Sequence, residues 1–85
     1  MNKGFVYVLR CIDQKLYTGS TRDLQKRLRA HDAGKVRTTK NRRPVKLIYT
    51  EEFDDYSEAR KRELYLKSGA GREWLHGQSE RWPSG

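Results

Sequence analysis

Apolar residues near the start of the chain form two short clusters separated by a polar turn. The first cluster covers residues 5–9 (FVYVL) and the second covers residues 16–18 (LYT). Clusters rich in β-branched and aromatic residues are typical of strands. Residues 13–15 (DQK) between them carry turn chemistry. The pattern therefore predicts a β-hairpin that ends near Ser20.

A helix is predicted over residues 24–32, which contain neither Gly nor Pro. Thr21 and Asp23 are both N-cap candidates, and Gly34 suits the C-terminal stop. At 100° per residue, one arc of about 100° collects four side chains, namely Leu24, Arg27, Leu28 and His31. The face that buries the leucines therefore also carries an arginine and a histidine. Taken alone, Arg27 is also consistent with a side chain at the edge of the core that keeps its charge in water.

Residues 32–44 form a long polar connection in which Val36 is almost the only apolar side chain. A loop of this length in a small domain is usually functional or mobile. Its basic residues are predicted to bind a phosphate backbone, and a solvated loop without a partner is the alternative. These residues are Lys35, Arg37, Lys40, Arg42 and Arg43.

The second half of the chain predicts a strand and two helices. Residues 45–53 form the strand, and the apolar run 47–49 indicates burial on both faces, as in a central strand. A helix then starts near residues 55–57, with Ser57 as the predicted N-cap, and runs to Ser68, where Gly69 and Gly71 stop it. A short helix over 72–75 follows. Residues 76–85 are predicted to be a flexible tail in which Trp82 docks on the core.

A carboxylate falls in the middle of the apolar face of the second predicted helix. Tyr56, Ala59, Leu66 and Lys67 lie within about 60° of Glu63 on the helical wheel. A buried carboxylate must be paired, protonated or metal-bound, because a bare charge there costs several kcal/mol. An ion pair between Glu63 and Lys67, four residues later, is the simplest alternative to a metal site.

Composition limits the class of protein. The 85 residues predict a single domain over 1–85, with a core at about 4–75. The net charge of +8, from 19 basic and 11 acidic residues, favours a phosphate-rich partner. The one cysteine, Cys11, excludes an internal disulfide and is interpreted as a small buried apolar residue. No long apolar run indicates a membrane span, so a cytoplasmic protein is expected.

The hairpin resembles the opening of the GIY-YIG nuclease family. Its two motif triplets are similar to residues 5–7 (FVY) and 17–19 (YTG), whose tyrosines lie ten positions apart. In this family an arginine on the first helix faces the substrate phosphate, and a His or Tyr follows four positions later. Arg27 and His31 match that spacing. The family also places a metal-binding glutamate on a helix after the third strand, a position to which Glu63 is similar. The segment LYLKSGAGR after it resembles the small stand-alone branch of the family.

The resemblance implies an α+β fold with a three-stranded antiparallel sheet flanked by helices. The order β-β-α-β-α-(α) agrees with the elements read directly from the sequence. The implied activity is phosphodiester hydrolysis of nucleic acid, DNA more than RNA, in a setting of DNA repair or processing. One divalent cation, Mg²⁺ or Mn²⁺, would be held by Glu63.

Roles for the matching residues follow from the resemblance. Arg27 would bind the scissile phosphate, and Lys67 would join the phosphate-binding residues. Tyr7 is the first candidate for the general base and His31 the second. A phenol with a pKa near 10 is a poor base at pH 7 unless a positive charge lowers that pKa. Tyr17 and His31 would orient water or phosphate.

Two features extend the resemblance or depart from it. Gly19 would allow a close approach of the backbone. Many members carry a late asparagine near the active site, and neither Asn2 nor Asn41 matches that position. A non-catalytic nucleic-acid-binding module of the same fold and a small protein-interaction subunit are the alternatives to a nuclease.

The two tyrosines can share a site only in a particular hairpin register. Side chains alternate along a strand, so Tyr17 must pair with an odd-numbered residue such as Leu9 to share the face of Tyr7. A two-residue turn at positions 13–14 would pair Tyr17 with Arg10 instead. The nuclease hypothesis therefore requires a three-residue turn or a bulge, with both phenol oxygens in one cleft with Arg27 and Glu63.

Overall fold

The computed structural model describes residues 3–78, in which three strands and three α-helices confirm the predicted order. The strands are β1 (Gly4–Arg10), β2 (Leu16–Thr21) and β3 (Lys46–Phe53). The helices are α1 (Leu24–Asp32), α2 (Tyr56–Lys67) and α3 (Gly69–Gly77), with a short 3₁₀ helix at Lys40–Arg42. Residues 79–85, and with them the predicted docking of Trp82, lie outside the described range.

The sheet is antiparallel in the order β2-β1-β3, so β1 is the central strand and the prediction for β3 is wrong. Val8 pairs with Tyr49 and Leu9 pairs with Leu47, which leaves Ile48 as the extra residue of a β-bulge. The bulge lets the neighbouring Ile48 and Tyr49 both contact the core. The apolar run therefore reflects a bulge in an edge strand and not burial on two faces.

The core lies on one face of the sheet. Val6 and Val8 of β1 pack against Ala59 and Leu66 of α2 and against Leu75 of α3. Even-numbered β1 side chains therefore face α2 and α3, and odd-numbered ones face α1. No helix in the described range is long and apolar enough to span a membrane.

The caps of α1 and α2 are both aspartates. Asp23 accepts a hydrogen bond from the Lys26 N–H and is the N-cap of α1. The Asp55 carboxylate accepts from the Ser57 N–H at 3.0 Å, so α2 begins at Tyr56 and the predicted N-cap Ser57 is wrong. A carboxylate gains more than a hydroxyl at a helix N-terminus, because it also interacts with the helix dipole.

The last helix is longer than the predicted 72–75 segment. Ser68 ends α2 and also caps α3, since its Oγ accepts from the Gly71 N–H. Gly69 and Gly71 are therefore part of α3 and do not act only as stops. A Cβ at position 71 would lie 2.5 Å from the Leu66 Cα, so the glycine is needed for close packing of α3 on α2.

Candidate active site

The hairpin turn has the length that the nuclease hypothesis requires. The Cys11 N–H donates to the Lys15 carbonyl at 2.9 Å, which leaves residues 12–14 in the turn. Gln14, the third of them, has a φ of 69°. A three-residue hairpin loop that ends in a left-handed residue is a common arrangement. The prediction of a three-residue turn is confirmed.

This turn places both tyrosines on one face of the sheet. Tyr17 pairs with Leu9, and Tyr7 pairs with Gly19. Because paired residues point to the same side, Tyr7 and Tyr17 both face α1. Their ring centroids are 6.3 Å apart.

A buried chain of hydrogen bonds joins β1 to α1 and to the connection after it. The Arg27 Nε–H donates to Tyr7 Oη at 3.2 Å, and Tyr7 Oη lies 2.9 Å from His31 Nε2. The other ring nitrogen, His31 Nδ1, lies 2.8 Å from Thr39 Oγ1. Tyr7, His31 and Thr39 each have 0% of their surface exposed. The fold therefore brings together Tyr7, Arg27 and His31, three of the five predicted catalytic residues, and adds Thr39.

Tyr17 joins this cluster from the edge strand. Its ring lies edge-on to His31, with centroids 5.2 Å apart. Unlike Tyr7 it is partly exposed, and it lines a cleft of about 620 Å³ between β2 and the helices α2 and α3. Tyr17 is therefore the tyrosine of the cluster that solvent and a substrate can reach.

Gly19 has a different use from the predicted one. A Cβ at this position would lie 2.5 Å from Tyr7 Oη. The glycine thus makes room for the tyrosine hydroxyl within the protein. The group that approaches this glycine closely is therefore the Tyr7 hydroxyl and not a backbone.

The protonation states of the cluster argue against Tyr7 as the water-activating base. Burial raises the pKa of Tyr7 to about 12, although the hydrogen bond from Arg27 opposes this. Tyr7 is therefore a protonated phenol at neutral pH, and it has no exposed surface to contact water. Burial, followed by the charge of Arg27, lowers the pKa of His31, so its imidazole is neutral at pH 7.

The structure places Glu63 on the opposite face of the sheet from the two tyrosines. Its carboxylate accepts hydrogen bonds from Ser20 Oγ at 2.5 Å, Arg60 Nη1 at 2.8 Å and Lys67 Nζ at 2.5 Å. The expectation of one cleft that holds both phenol oxygens together with Arg27 and Glu63 is thus not met. The two parts approach each other at β2, because Ser20 directly follows Gly19 in that strand.

The carboxylate of Glu63 stays ionised although only 4% of the residue is exposed. Burial alone would raise its pKa, but the hydrogen bonds from Lys67, Ser20 and Arg60 outweigh burial and hold the pKa below the ordinary value. The Glu63–Lys67 ion pair, which was the alternative to a metal site, is present and is joined by a second cation. Ion pairing therefore satisfies the buried charge without a metal.

The basic connection is packed and only partly available to a ligand. Val36 and Thr39 are buried and anchor it. Arg42 Nε lies 3.3 Å from Asp13 Oδ2, and Arg43 donates to two main-chain carbonyls, at 3.0 and 3.1 Å. Of the predicted phosphate-binding residues in this segment, the exposed ones without such a structural contact are Lys35, Arg37 and Lys40.

Further basic side chains line the cleft beside Tyr17. Lys67, one of the predicted phosphate-binding residues, is among them and links the cleft to Glu63. The others are Lys15, which follows the hairpin turn, and Arg72 and His76 of α3. These three were not predicted, because the position of α3 beside β2 is a tertiary feature.

A family model described as the GIY-YIG catalytic domain matches residues 3–74. The chain belongs to the GIY-YIG family. The matched region contains both tyrosines, Arg27, His31 and Glu63. Membership of this family suggests nuclease activity and nucleic-acid binding, and its nucleases generally depend on a divalent metal.

Similar proteins agree with this assignment. The UPF0213 protein of Syntrophus aciditrophicus is 46% identical over 77 residues, which cover 88% of each chain. The UPF0213 protein of Staphylococcus haemolyticus is 43% identical over 82 residues, which cover 95% of this chain and all of that one. A solution NMR structure of a UPF0213 protein from Bacillus halodurans is 35% identical, has a TM-score of 0.56 and matches 88% of this chain and 83% of its own. The chain therefore shares its fold with small single-domain GIY-YIG proteins.

The oxygen donors around Glu63 would suit one weakly held divalent ion. Among residues 3–78 no cluster of three His, Cys, Asp or Glu side chains is placed to hold a metal. Glu63 is an ionised carboxylate beside the Ser20 hydroxyl, and both supply the hard oxygen atoms that Mg²⁺ and Mn²⁺ prefer. Arg60 and Lys67 occupy the same carboxylate oxygens, so a metal must displace at least one of them.

Three residues of this GIY-YIG site were not recognised in the sequence. Ser20 and Arg60 contact Glu63, and Thr39 contacts His31. Arg60 lies three positions before Glu63 on a helix, a spacing that does indicate contact. Ser20 and Thr39 carried no such signal, because both reach their partners only through tertiary packing.

Proposed function

We propose that this protein is a divalent-metal-dependent endonuclease that hydrolyses phosphodiester bonds in nucleic acid, with DNA as the favoured polymer. The observation that carries the proposal is the position of Arg27. Its guanidinium is held by the buried Tyr7 next to the partly exposed Tyr17. The family match supports the same activity.

Arg27 would bind the scissile phosphate. Its Nε donates to Tyr7, so the two terminal Nη groups are the donors that can meet two phosphate oxygens at once. The hydrogen bond that Arg27 donates to Tyr7 raises the pKa of Arg27 further, so the charge is permanent. A fixed positive charge stabilises the negative charge that develops on the phosphoryl oxygens during attack.

Tyr17 takes over the role first assigned to Tyr7. Its partly exposed oxygen is the one that can contact an attacking water. Tyr17 would first release its phenolic proton to solvent and would then, as the phenolate, accept the proton of that water. Tyr7 and His31 are buried and would act on the reaction through Arg27, which they hold in position. The role of general base, for which Tyr7 and His31 were the candidates, thus goes to Tyr17 in this proposal. Neither Tyr7 nor His31 would contact the substrate.

Glu63, together with Ser20, would hold the Mg²⁺ or Mn²⁺ ion. A divalent cation supplies Lewis-acid stabilisation of charge at the phosphate and the leaving oxygen when it is bound. Lys67, 47% exposed at its side chain, is free to turn from Glu63 towards the substrate backbone. Its place in the cleft lining makes this a short movement.

The nucleic-acid backbone would run along the β2 edge through the cleft. Lys15, Lys67, Arg72 and His76 line this path beside Tyr17. The exposed cations of the 32–44 connection would contact the nucleic-acid backbone on the other side of Tyr17. Such contacts bind phosphate without reading bases, so cleavage is expected to have little sequence preference.

The test is a cleavage assay with Mg²⁺ or Mn²⁺, and with EDTA as the metal-free reference, on single- and double-stranded DNA and RNA. Wild-type protein should cleave only with the metal, and Arg27→Gln should reduce cleavage by about a hundredfold or more. Arg29→Gln is the matched control, because it removes the same charge from an exposed position of α1. Equal loss in both variants, or no cleavage of any substrate by the wild type, would contradict the proposal.

One observation favours a second function, that of a non-catalytic nucleic-acid-binding module. Both oxygens of Glu63 are already engaged by cations of the chain, as they would be if the carboxylate had only a structural role. In that case Mn²⁺ would not bind near Glu63, whereas salt-dependent nucleic-acid binding would remain. Measuring Mn²⁺ binding and nucleic-acid binding on the same protein separates the two functions.

A further inference from the structure

Arg27, Tyr7, His31 and Thr39 form one continuous line of hydrogen bonds, and the hydrogens in it can be arranged in two ways. In one order, Tyr7 donates to His31 Nε2 and His31 Nδ1–H donates to Thr39. In the other order, Thr39 donates to Nδ1 and His31 Nε2–H donates to Tyr7. The heavy-atom distances, 2.9 and 2.8 Å, are compatible with both.

The donor inventory at Tyr7 favours the first order. A guanidinium has donors and no acceptor, so Arg27 cannot receive the phenol hydrogen. Tyr17 also interacts with the Tyr7 hydroxyl, but the two short contacts at Tyr7 Oη are those with Arg27 and His31, and of these two His31 is the one that can accept. Tyr7 is fully buried, and a buried donor is expected to be satisfied within the protein.

The charge of Arg27 favours the same order. In the first order the dipoles of all three side chains point their negative ends towards the guanidinium. These negative ends are the Tyr7 oxygen, the His31 Nε2 lone pair and the Thr39 oxygen. Aligned hydrogen bonds in a buried site strengthen one another. In the second order His31 would direct an N–H at Tyr7, which already receives an N–H from a cation. The Thr39 hydroxyl hydrogen rotates about its Cβ–Oγ bond and can adapt to the first order.

We propose that Thr39 is a positioning residue, which keeps His31 in the Nδ1–H tautomer so that Tyr7 and, through it, Arg27 are held in place. Thr39 contacts neither Arg27 nor the cleft surface, and it acts through two intervening side chains. It belongs to the basic connection, so this connection would support the active site as well as contribute cations. The consequence for cleavage rests on the proposed function, but the tautomer does not.

The decisive measurement is the long-range ¹H–¹⁵N NMR spectrum of protein labelled at histidine, recorded at neutral pH without substrate. His76→Gln, an exposed position on α3, assigns the two imidazole patterns. Wild-type His31 should show the Nδ1–H pattern. Thr39→Val, which keeps the shape and removes the oxygen, should move His31 towards the Nε2–H pattern, and Thr39→Ser should restore the wild-type spectrum.

An Nε2–H pattern in the wild type, or an unchanged His31 pattern in Thr39→Val, would overturn the proposal. The wild-type result stands even if Thr39→Val does not fold. In the cleavage assay, Thr39→Val should lower kcat about tenfold with little change in KM, and Thr39→Ser should recover it. If no variant and no wild type cleaves, the nuclease proposal fails, and the tautomer result is unaffected.

Discussion

At the scale of single residues, the site depends on two side chains that the sequence predicted to contact substrate and that the structure buries. Tyr7 and His31 were predicted to touch water or phosphate, and both are fully buried. His31 contacts the Tyr7 hydroxyl, and this hydroxyl accepts a hydrogen bond from Arg27 and so holds Arg27 in position. Substitutions here should therefore affect stability and activity together, unlike substitutions at the partly exposed Tyr17.

Gly19→Ala is expected to displace Tyr7, because the added Cβ would lie 2.5 Å from its hydroxyl oxygen. Crowding of this kind typically costs about 1–3 kcal/mol in the free energy of unfolding. Cleavage should also fall, since Arg27 loses its acceptor. Gly69→Ala is the control, because nothing lies within 4 Å of a Cβ at that position. Thermal unfolding of both variants, followed by circular dichroism, checks the difference, and equal melting temperatures would contradict it.

The stability of the fold should decrease as the pH falls below about 6.5, because of His31. Burial and the charge of Arg27 lower the pKa of His31 in the folded protein below its ordinary 6.5. The unfolded chain therefore takes up the proton first, and stability that is present above pH 6.5 is lost as the pH falls. Glu63 contributes only at lower pH, because its pKa is lowered from 4.5.

The measurement is the change in melting temperature between pH 7.5 and pH 5.5. His31→Gln should reduce this change, whereas His76→Gln, which removes the other histidine, should leave it in place. If the wild type and His31→Gln lose stability equally between pH 7.5 and pH 5.5, the buried imidazole is not the cause of that loss.

At the scale of elements, α2 decides how Glu63 is used. Arg60 and Lys67 lie three positions before and four positions after Glu63, and both contact its carboxylate across the helix surface. Their side chains are 52% and 47% exposed, so each can leave without disturbing the core. The helix thus carries an ionised carboxylate, and the two cationic side chains that pair with it can move away from it.

Removing one of these cations should make a divalent ion bind more tightly. Lys67→Met is expected to lower the Kd for Mn²⁺ about tenfold, which corresponds to about 1.4 kcal/mol. Lys61→Met is the control on the same helix, because Lys61 pairs with the exposed Glu58 at 3.6 Å. Electron paramagnetic resonance of free Mn²⁺ gives the affinity without any substrate. An unchanged Kd in Lys67→Met would show that the ion pair does not compete with the metal.

Glu63→Gln tests the carboxylate itself. The amide keeps the shape of the side chain but not its charge, so Mn²⁺ binding and metal-dependent cleavage should both be lost. Nucleic-acid binding should remain or become slightly tighter, because a negative charge has been removed beside the cleft. Full cleavage by Glu63→Gln would refute the assignment of Glu63 as the metal ligand and leave its ion pairs as a structural feature.

At the scale of the whole molecule, the net charge of +8 is divided between structure and surface. Arg42 and Arg43 are engaged with Asp13 and with main-chain carbonyls. Cations from the connection, from the hairpin turn and from α3 remain for a partner. They belong to segments that are distant in the chain and that the fold places around the β2 edge.

Binding of nucleic acid should therefore depend strongly on salt. With about five phosphate contacts, log K should fall against log salt with a slope of about −3.5 to −4.5. Arg72→Gln should make this slope shallower by about 0.7–0.9, the value for one contact. Arg43→Gln should instead lower the melting temperature. Fluorescence anisotropy of a labelled oligonucleotide at several salt concentrations provides the test, and a slope near zero would contradict the proposed role of the charge.

Much of the fold follows from local signals, because strands and helices differ in the period of their apolar residues. The element order, the hairpin, the start of α1 and the burial of Glu63 could all be predicted in this way. The three-residue turn followed from a functional requirement, since only that register places both tyrosines on one face. The N-cap of α2 was mispredicted because Asp55 and Ser57 both offered one. The helix α3 was predicted too short because Gly69 and Gly71 were interpreted as stops.

What the sequence alone determined is the set of residues and the face that each occupies within its own element. Tertiary structure alone decided which of them meet. The bulge at Ile48 put β3 at the edge, and packing between α1, β1 and the connection buried Tyr7, His31 and Thr39 in one line. Packing of α2 on the other face separated Glu63 from the tyrosines. These contacts join residues far apart in the chain, where periodicity carries no information, and they form because burial must satisfy every polar group at once.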